Sequence, residues 1–181
     1  MIKDSKFVLI LDYQDDICYD KIFKKLPRNS GILFRSYAHP RREEIANNLN
    51  KIAKKRNHYF IIANDIKLAK KSKKKFIHSP EYNSQSILKK INNKKMIKSC
   101  SAHCKRSLIK AIKLKYDYIF FSPLYKTSSH PDKKPMGLVR FLKSTQGKKS
   151  KIIALGGIRL NNIKSLKLTK HVAKYAATQI G

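Results

Sequence analysis

The chain has 181 residues, a length that favours one domain with a sizeable core, and we treat residues 1–181 as that domain. It carries 42 lysine and arginine residues against 11 aspartate and glutamate residues, a formal net charge of +31. Because the cations are mostly lysines spread over nearly every predicted helix, we expect non-specific attraction to polyanions but no specific nucleic-acid partner.

Short β-branched runs alternate with lysine-rich amphipathic runs along the chain. The predicted strands span residues 7–13, 31–37, 59–65, 75–79, 95–101, 118–125, 151–157 and 172–179. The predicted helices span residues 16–26, 40–56, 66–74, 84–93, 102–116, 137–146 and 162–170. This alternation indicates right-handed βαβ units and a mainly parallel sheet. It predicts an α/β fold, a compact TIM (β/α)8 barrel that lacks most or all of its last helix.

The predicted absence of an eighth helix would leave apolar barrel surface uncovered. A second copy of the chain could cover it, so a homodimer is one expectation, and the N-terminal residues are the other candidate. Three cysteines are too few for a disulfide framework, and no stretch approaches the roughly 20 apolar residues of a membrane span. We therefore expect a cytoplasmic protein with no membrane partner.

Polar residues follow most of the predicted strands. In a (β/α)8 barrel the carboxyl ends of all strands meet at one mouth, where active sites are built. The residues that this places at the mouth are Asp12, Arg35, Tyr37, Asn64, Asp65, His78, Glu81, Ser101, His103, Thr127, Ser129, His130, Gly156, Gly157 and Thr178. Their groups can hold phosphate, magnesium or a proton, which predicts small phosphorylated substrates.

The pair Gly156-Gly157 ends the predicted strand KIIAL and precedes a helical pattern. Two glycines at that point let backbone amides approach an oxyanion closely, as in a phosphate cup. A tight strand-to-helix turn would need the same glycines for its backbone angles. The segment alone leaves both interpretations open.

Other candidate residues also have a structural interpretation. Asn64 and Asp65 could simply cap the following helix, and so could Ser101. The cluster of Cys100, His103 and Cys104 is similar to a zinc site but lacks an evident fourth ligand, which favours ordinary thiols.

The predicted loop KTSSHPDKKP, residues 126–135, carries three hydroxyl side chains, a histidine and three lysines. Such a set suits a pyrophosphate held by short-range donors and balanced by cations. Arg35 offers a bidentate guanidinium from across the mouth.

Six segments, in chain order, resemble the thiamin phosphate synthase family and its thiazole tautomerase relatives. They are GILFRSY, IIANDIKLA, FIHSPE, SCSAHC, YDYIFFSPLYKTSSHP and IIALGGIRLNN. The resemblance covers nearly everything from Gly31 to Ile180. It implies a TIM barrel that joins a hydroxymethylpyrimidine pyrophosphate to a thiazole phosphate and releases pyrophosphate, with Mg²⁺ as cofactor.

The resemblance also implies roles for individual residues. Pyrophosphate would be held by Arg35, Asn64, Thr127, Ser129 and His130, and Mg²⁺ by Asp65. Thiazole phosphate would be bound by Gly156, Gly157 and Thr178. Ser101, His130 and Arg35 are the implied catalytic residues, with Ser101 near the reacting pyrimidine.

The chain departs from the family pattern at three charged positions. Tyr37 and His130 stand where the family has lysines, and Asn83 stands where it has a second metal-binding carboxylate. Lys126, Lys133 and Lys134 could partly compensate. In the tautomerase branch a histidine occupies the position of Pro123. Two alternatives to a synthase therefore stay open: a thiazole phosphate-binding tautomerase, hydrolase or carrier, and a polyanion- or RNA-binding module on an inactive barrel.

Overall fold

Eight parallel strands form a closed barrel in the computed structural model, which describes residues 7–73, 75–91, 95–127, 132–147, 151–158, 162 and 174–177. The strands are β1 (Phe7–Leu11), β2 (Gly31–Phe34), β3 (Tyr59–Ala63), β4 (Phe76–Ser79), β5 (Ile97–Ala102), β6 (Tyr118–Phe121), β7 (Lys151–Leu155) and β8 (Lys174–Ala177). Each strand pairs with its neighbour in sequence, and β8 closes the barrel on β1. The predicted (β/α)8 barrel is thus confirmed, with every predicted strand present and most of them shorter.

Six helices alternate with these strands in the described part of the chain. They are α1 (Tyr19–Lys25), α2 (Arg42–Lys55), α3 (Ile66–Lys71), α4 (Ser84–Lys89), α5 (Lys105–Lys113) and α6 (Leu138–Thr145), and a 3-10 turn (Glu81–Asn83) precedes α4. The helices are shorter than predicted, and in two of these six, α3 and α5, the N-cap side chain accepts a backbone hydrogen bond. The predicted helix at 162–170 lies almost wholly outside the described residues, and so does the segment after β8.

Side chains alternate between two environments along each strand, as the pleat requires. One set, which includes Val8, Leu33, Ile61, Phe120 and Ile153, fills the barrel interior. The alternate residues, such as Ile32, Ile62, Ile119 and Ile152, belong to the two clusters that pack under the helices. This alternation matters for the site because it determines which polar residues near the strand ends point into the mouth.

Helix α2 shows how the outer layer is fixed. Its buried residues are Ile45, Ala46, Leu49 and Ala53, which lie on one face of the helix. That face packs beneath β2 and β3 with Phe34, Phe60 and Ile62 in the same cluster. The packing sets the position of the first turn of α2 at the rim of the mouth.

The cysteines are unpaired: Cys100 is buried, whereas Cys18 and Cys104 are exposed. Burial raises the pKa of the Cys100 thiol, which keeps it protonated. Within the ranges described above, no helix has the length and apolar character needed to cross a membrane.

Candidate active site at the barrel mouth

Arg35 follows β2 at the mouth and is held by Asp12, which follows β1. Its Nε donates to Asp12 Oδ1 at 3.2 Å, and its Nη2 donates to Asp12 Oδ2. The Ser36 amide also donates to Asp12 Oδ1 at 3.2 Å. The two side chains are 34% and 54% exposed, so solvent and ligands reach the pair. Arg35 therefore lies at the mouth with its charge offset by one carboxylate, and phosphate binding by Arg35 stays a prediction.

Arg42, in the first turn of α2, is a mouth residue that the sequence did not reveal. Its guanidinium donates to the carbonyl oxygens of Arg35, Ser36 and Ala63, the last at 2.7 Å, and to Asp65 Oδ2 at 3.0 Å. It also lies 5.3 Å from the centre of the Phe34 ring. With 11% of the side chain exposed, this arginine ties the ends of β2 and β3 together. A charged residue on an otherwise polar helix face gave no signal of this role.

Asp65 has both carboxylate oxygens engaged within the protein. Oδ1 accepts from the Leu68 amide at 2.9 Å, the cap that the sequence had left open, and Oδ2 accepts from Arg42. The nearest matching position for a second carboxylate is Asn83. Among the described residues there is no group of three or more histidine, cysteine or carboxylate side chains that could hold a metal ion. Both oxygens of Asp65 thus have donors within the protein, so a Mg²⁺ ion bound at Asp65 would have to displace Arg42 or share Oδ2 with it.

Asn64 links the end of β3 to the 3-10 turn. Its Oδ1 accepts from Asn83 Nδ2 at 2.6 Å, and its Nδ2 donates to the Tyr82 hydroxyl at 3.1 Å. The backbone of Asn64 has φ +58°, a left-handed conformation that asparagine tolerates well. The predicted pyrophosphate ligand thus lies in a chain of neutral polar groups at the rim.

Ser101 on β5 is bonded to a histidine inside the barrel and does not cap α5. His78 Nε2 lies 3.0 Å from Ser101 Oγ, and His78 Nδ1 lies 3.0 Å from Ser99 Oγ. His78 is 2% exposed, and its ring meets Phe120 edge-on with centroids 4.9 Å apart. Burial, together with the charges of Arg35 and His103, lowers the pKa of His78 to about 3, so the imidazole is neutral.

A second histidine, His103, joins three loops at the mouth. Its Nδ1 lies 2.8 Å from Ser122 Oγ, and its backbone amide donates to Glu81 Oε2 at 2.8 Å. The cap of α5 is Cys104, whose sulfur accepts from the Ser107 amide, so of the two interpretations of Ser101 the capping one does not apply. The sulfur of Cys104 is committed to that cap, which supports the thiol interpretation over a zinc site.

Both glycines after β7 have positive φ, +98° at Gly156 and +64° at Gly157. A Cβ on Gly156 would lie 2.9 Å from Pro123 Cα, and one on Gly157 would overlap the Lys126 carbonyl and lie 2.8 Å from the Tyr125 carbonyl carbon. The Tyr125 amide also donates to the Gly156 carbonyl at 3.0 Å. Close approach of the loop after β6 thus accounts for the glycine pair. A phosphate cup stays a prediction.

Of the remaining predicted site residues, the structure describes some and not others. Thr127 is described, half-buried at the start of the loop after β6. Ser129, His130 and Thr178 lie outside the described residues. A cavity of about 240 Å³ adjoins the mouth on its outer side, between the 3-10 turn and α5, with Glu81, Ser101 and Lys110 among its lining residues.

A family profile and two curated relatives match the chain. The profile of the family described as thiamine monophosphate synthase matches residues 30–178. An Aquifex aeolicus protein, provisionally named thiamine-phosphate synthase 2, is 37% identical over 89 residues, 49% of this chain and 47% of that protein. The thiamine-phosphate synthase of Prochlorococcus marinus is 32% identical over 121 residues, 66% of this chain and 34% of that protein. The matches thus span about half and about a third of these relatives' lengths.

A solved structure shares the fold over nearly the whole chain. The thiamine phosphate pyrophosphorylase of Pyrococcus furiosus superposes with a TM-score of 0.76 at 18% identity, covering 97% of this chain and 86% of that chain. At this identity the likeness shows the common barrel, and function has to be argued from the site itself.

Proposed function

Because the chain belongs to the thiamine monophosphate synthase family, we propose that it joins a hydroxymethylpyrimidine pyrophosphate to a thiazole phosphate, forming thiamin phosphate and pyrophosphate. The bond between the pyrimidine methylene carbon and the pyrophosphate oxygen breaks, and pyrophosphate leaves with the electron pair. The thiazole nitrogen then donates its lone pair to that carbon. No redox partner is needed.

The observation that carries the proposal is the position of Arg35. It lies at the mouth, one third exposed, where a bidentate guanidinium can hold the departing pyrophosphate. Asn64, which follows β3 beside Arg35, and Thr127, which follows β6 across the barrel, are the proposed neutral donors. Negative charge that develops on a leaving group is stabilised most by donors already fixed in place.

We propose that cations of the protein itself balance the charge of the departing pyrophosphate. Asp65 is bound to Arg42 and to its own helix, so it is not proposed as a metal ligand. Arg35 and Lys126, with Lys133 and Lys134 further along the same loop, are the proposed counter-charges. Ser129 and His130 are proposed to act from that loop, as the resemblance implies.

The thiazole phosphate is proposed to bind near Gly156, Gly157 and Thr178, beside the loop after β6. Ser101 lies on β5, bonded to His78. That placement suits contact with the pyrimidine ring. The methylene carbon on this ring must be accessible both to the leaving pyrophosphate and to the attacking thiazole nitrogen.

A second candidate is a family member that binds thiazole phosphate without joining it to a pyrimidine. It is favoured by one observation: where the family has a carboxylate, Asn83 donates to Asn64, which leaves the pyrophosphate side of the mouth without that charge. This candidate predicts tight thiazole phosphate binding and no new product.

Product formation separates the two candidates. Purified protein, mixed with both precursors, is expected to yield thiamin phosphate and pyrophosphate in equal amounts. Thiazole phosphate binding without either product, at high protein concentration, would favour the second candidate and overturn the first.

A further inference from the structure

We propose that His78 is a positioning residue that holds the Ser101 hydroxyl proton toward the barrel interior, so that Ser101 meets the pyrimidine as a hydrogen-bond acceptor. This inference rests on the proposed function for the identity of the ligand. It goes beyond that function by assigning a role to a buried histidine and a direction to a hydrogen bond.

The first step is the geometry of a chain of side chains across β4 and β5. Ser99 Oγ lies 3.2 Å from the Ile77 carbonyl oxygen and 3.0 Å from His78 Nδ1, and His78 Nε2 lies 3.0 Å from Ser101 Oγ. Ser99 and His78 are buried, whereas Ser101 is half-buried at the mouth. The chain therefore leads from a backbone carbonyl inside the barrel to the ligand-facing surface.

The second step counts protons along this chain. The Ile77 carbonyl can only accept, so a Ser99 hydroxyl that donates to it must accept from His78 Nδ1–H. His78 Nε2 is then the unprotonated nitrogen, and Ser101 must donate to it. This assignment satisfies three hydrogen bonds. The opposite tautomer satisfies two, because Ser99 would have to turn its only proton from Ile77 to His78.

The third step concerns the charge on His78. Burial, with Arg35 and His103 nearby, lowers its pKa to about 3. A base this weak cannot hold a proton taken from Ser101 at neutral pH, so His78 orients the hydroxyl without removing its proton. The edge-on contact with Phe120 fixes the plane of the ring.

The fourth step identifies what Ser101 can bind. With its proton committed to His78, its oxygen presents only lone pairs to the mouth. Phosphate oxygens and pyrimidine ring nitrogens are themselves acceptors and gain nothing there. The Ser101 oxygen can instead accept a hydrogen bond from an exocyclic amino group on the pyrimidine. It can also stabilise positive charge that develops at the reacting carbon. Ser101 therefore selects the pyrimidine half of the substrate and not its pyrophosphate.

The tautomer is measured on the wild-type protein, which avoids any risk of misfolding. Nitrogen-15 labelling of histidine and two-bond proton–nitrogen NMR distinguish protonated from unprotonated ring nitrogens. We expect His78 to carry its proton on Nδ1 and to stay neutral at pH 5. The nitrogen-15 chemical shift of Nε2 should change in Ser101→Ala. It should stay the same in the control Ser86→Ala, which replaces an exposed serine on α4. A proton on Nε2, or a charged ring at pH 5, would overturn the proposal.

Ligand selectivity is measured by calorimetry with two pyrimidine pyrophosphates, one bearing a ring amino group and one a methyl group in its place. We expect wild type and Ser86→Ala to prefer the amino ligand by about fivefold or more, and Ser101→Ala to lose that preference. Equal binding of both by wild type, or of neither, would overturn the acceptor role.

The outcomes also separate this inference from the proposed function. Correct tautomer and amino preference without product formation would refute the transfer reaction and leave the role of His78 intact. Product formation with the proton on Nε2 would refute the role of His78 and leave the transfer reaction intact.

Discussion

At the residue scale, the ion pair of Arg35 and Asp12 sets the charge at the proposed pyrophosphate site. The same guanidinium cannot make its full bidentate contact with Asp12 and with pyrophosphate at once. Asp12 thus keeps Arg35 in position through its bond with the Ser36 amide, and we expect it to compete with a bound anion. In the proposed complex, pyrophosphate displaces the Asp12 carboxylate from Arg35.

Asp12→Asn is expected to tighten pyrophosphate binding about two- to fivefold, because an exposed ion pair of this kind contributes roughly 0.5–1 kcal/mol. The asparagine oxygen can still accept from the Ser36 amide. Asp15→Asn is the matched control, since Asp15 pairs with the exposed Arg41 away from Arg35. Calorimetric titration with pyrophosphate measures both variants. Equal affinities of the two variants would show that Arg35 does not bind the anion.

A comparison of Gly157 with Gly147 tests why position 157 requires glycine: because of the close contact between two loops, or because of the backbone angle alone. Gly147 has nearly the same φ, +68° against +64°, but nothing within 4 Å of an added Cβ. Gly147→Ala is expected to cost about 1–2 kcal/mol of unfolding free energy, the ordinary strain of a left-handed residue. Gly157→Ala should cost clearly more, because its Cβ overlaps Lys126. Equal losses of unfolding free energy in the two variants, measured by urea denaturation, would contradict the role of this contact.

The same contact affects how a phosphate cup can be tested. Any side chain at Gly157 displaces the loop after β6, so loss of thiazole phosphate binding in such a variant would not identify a phosphate site. Direct titration of the wild-type protein with thiazole phosphate is the informative measurement.

At the element scale, Arg42 joins the end of β2, the end of β3 and the cap of α3. It satisfies three carbonyl oxygens and one carboxylate from a nearly buried position. The rim between Arg35 and Asp65 is therefore built on a side chain from the following helix.

Arg42→Leu is expected to lower the free energy of unfolding by about 2–3 kcal/mol, because it leaves these acceptors without their donor. Arg41→Leu, one residue earlier and 60% exposed, should change it by less than about 0.5 kcal/mol. Thermal and urea unfolding measure both. A loss in Arg42→Leu no larger than in Arg41→Leu would mean that the rim does not depend on this arginine.

The elements themselves were predictable, because each strand is a short apolar run with a polar or glycine boundary. The side-chain links between elements were not. Whether Ser101 caps α5 or meets His78 depends on the register of β5 against β4, which pairs His78 with Ser99. The role of Arg42 likewise depends on how α2 docks. The local sequence pattern contains no information about the register of β5 or about how α2 docks.

At the scale of the whole molecule, the net positive charge of the chain and the charge at the barrel mouth are two different properties. The lysines and arginines behind the formal net charge of +31 are spread along the whole sequence, whereas the mouth holds compensated pairs such as Arg35 with Asp12 and Arg42 with Asp65. We therefore expect anion binding at the mouth to depend on a few placed side chains and not on bulk charge.

The central claim is that this mouth carries out the transfer with Arg35 holding the leaving pyrophosphate. The decisive measurement is the rate of thiamin phosphate formation from both precursors by wild type, Arg35→Gln and the control Arg41→Gln. We predict product with wild type and Arg41→Gln, and at least a tenfold lower rate with Arg35→Gln. An Arg35→Gln rate equal to wild type, or no product from wild type at all, would contradict the account.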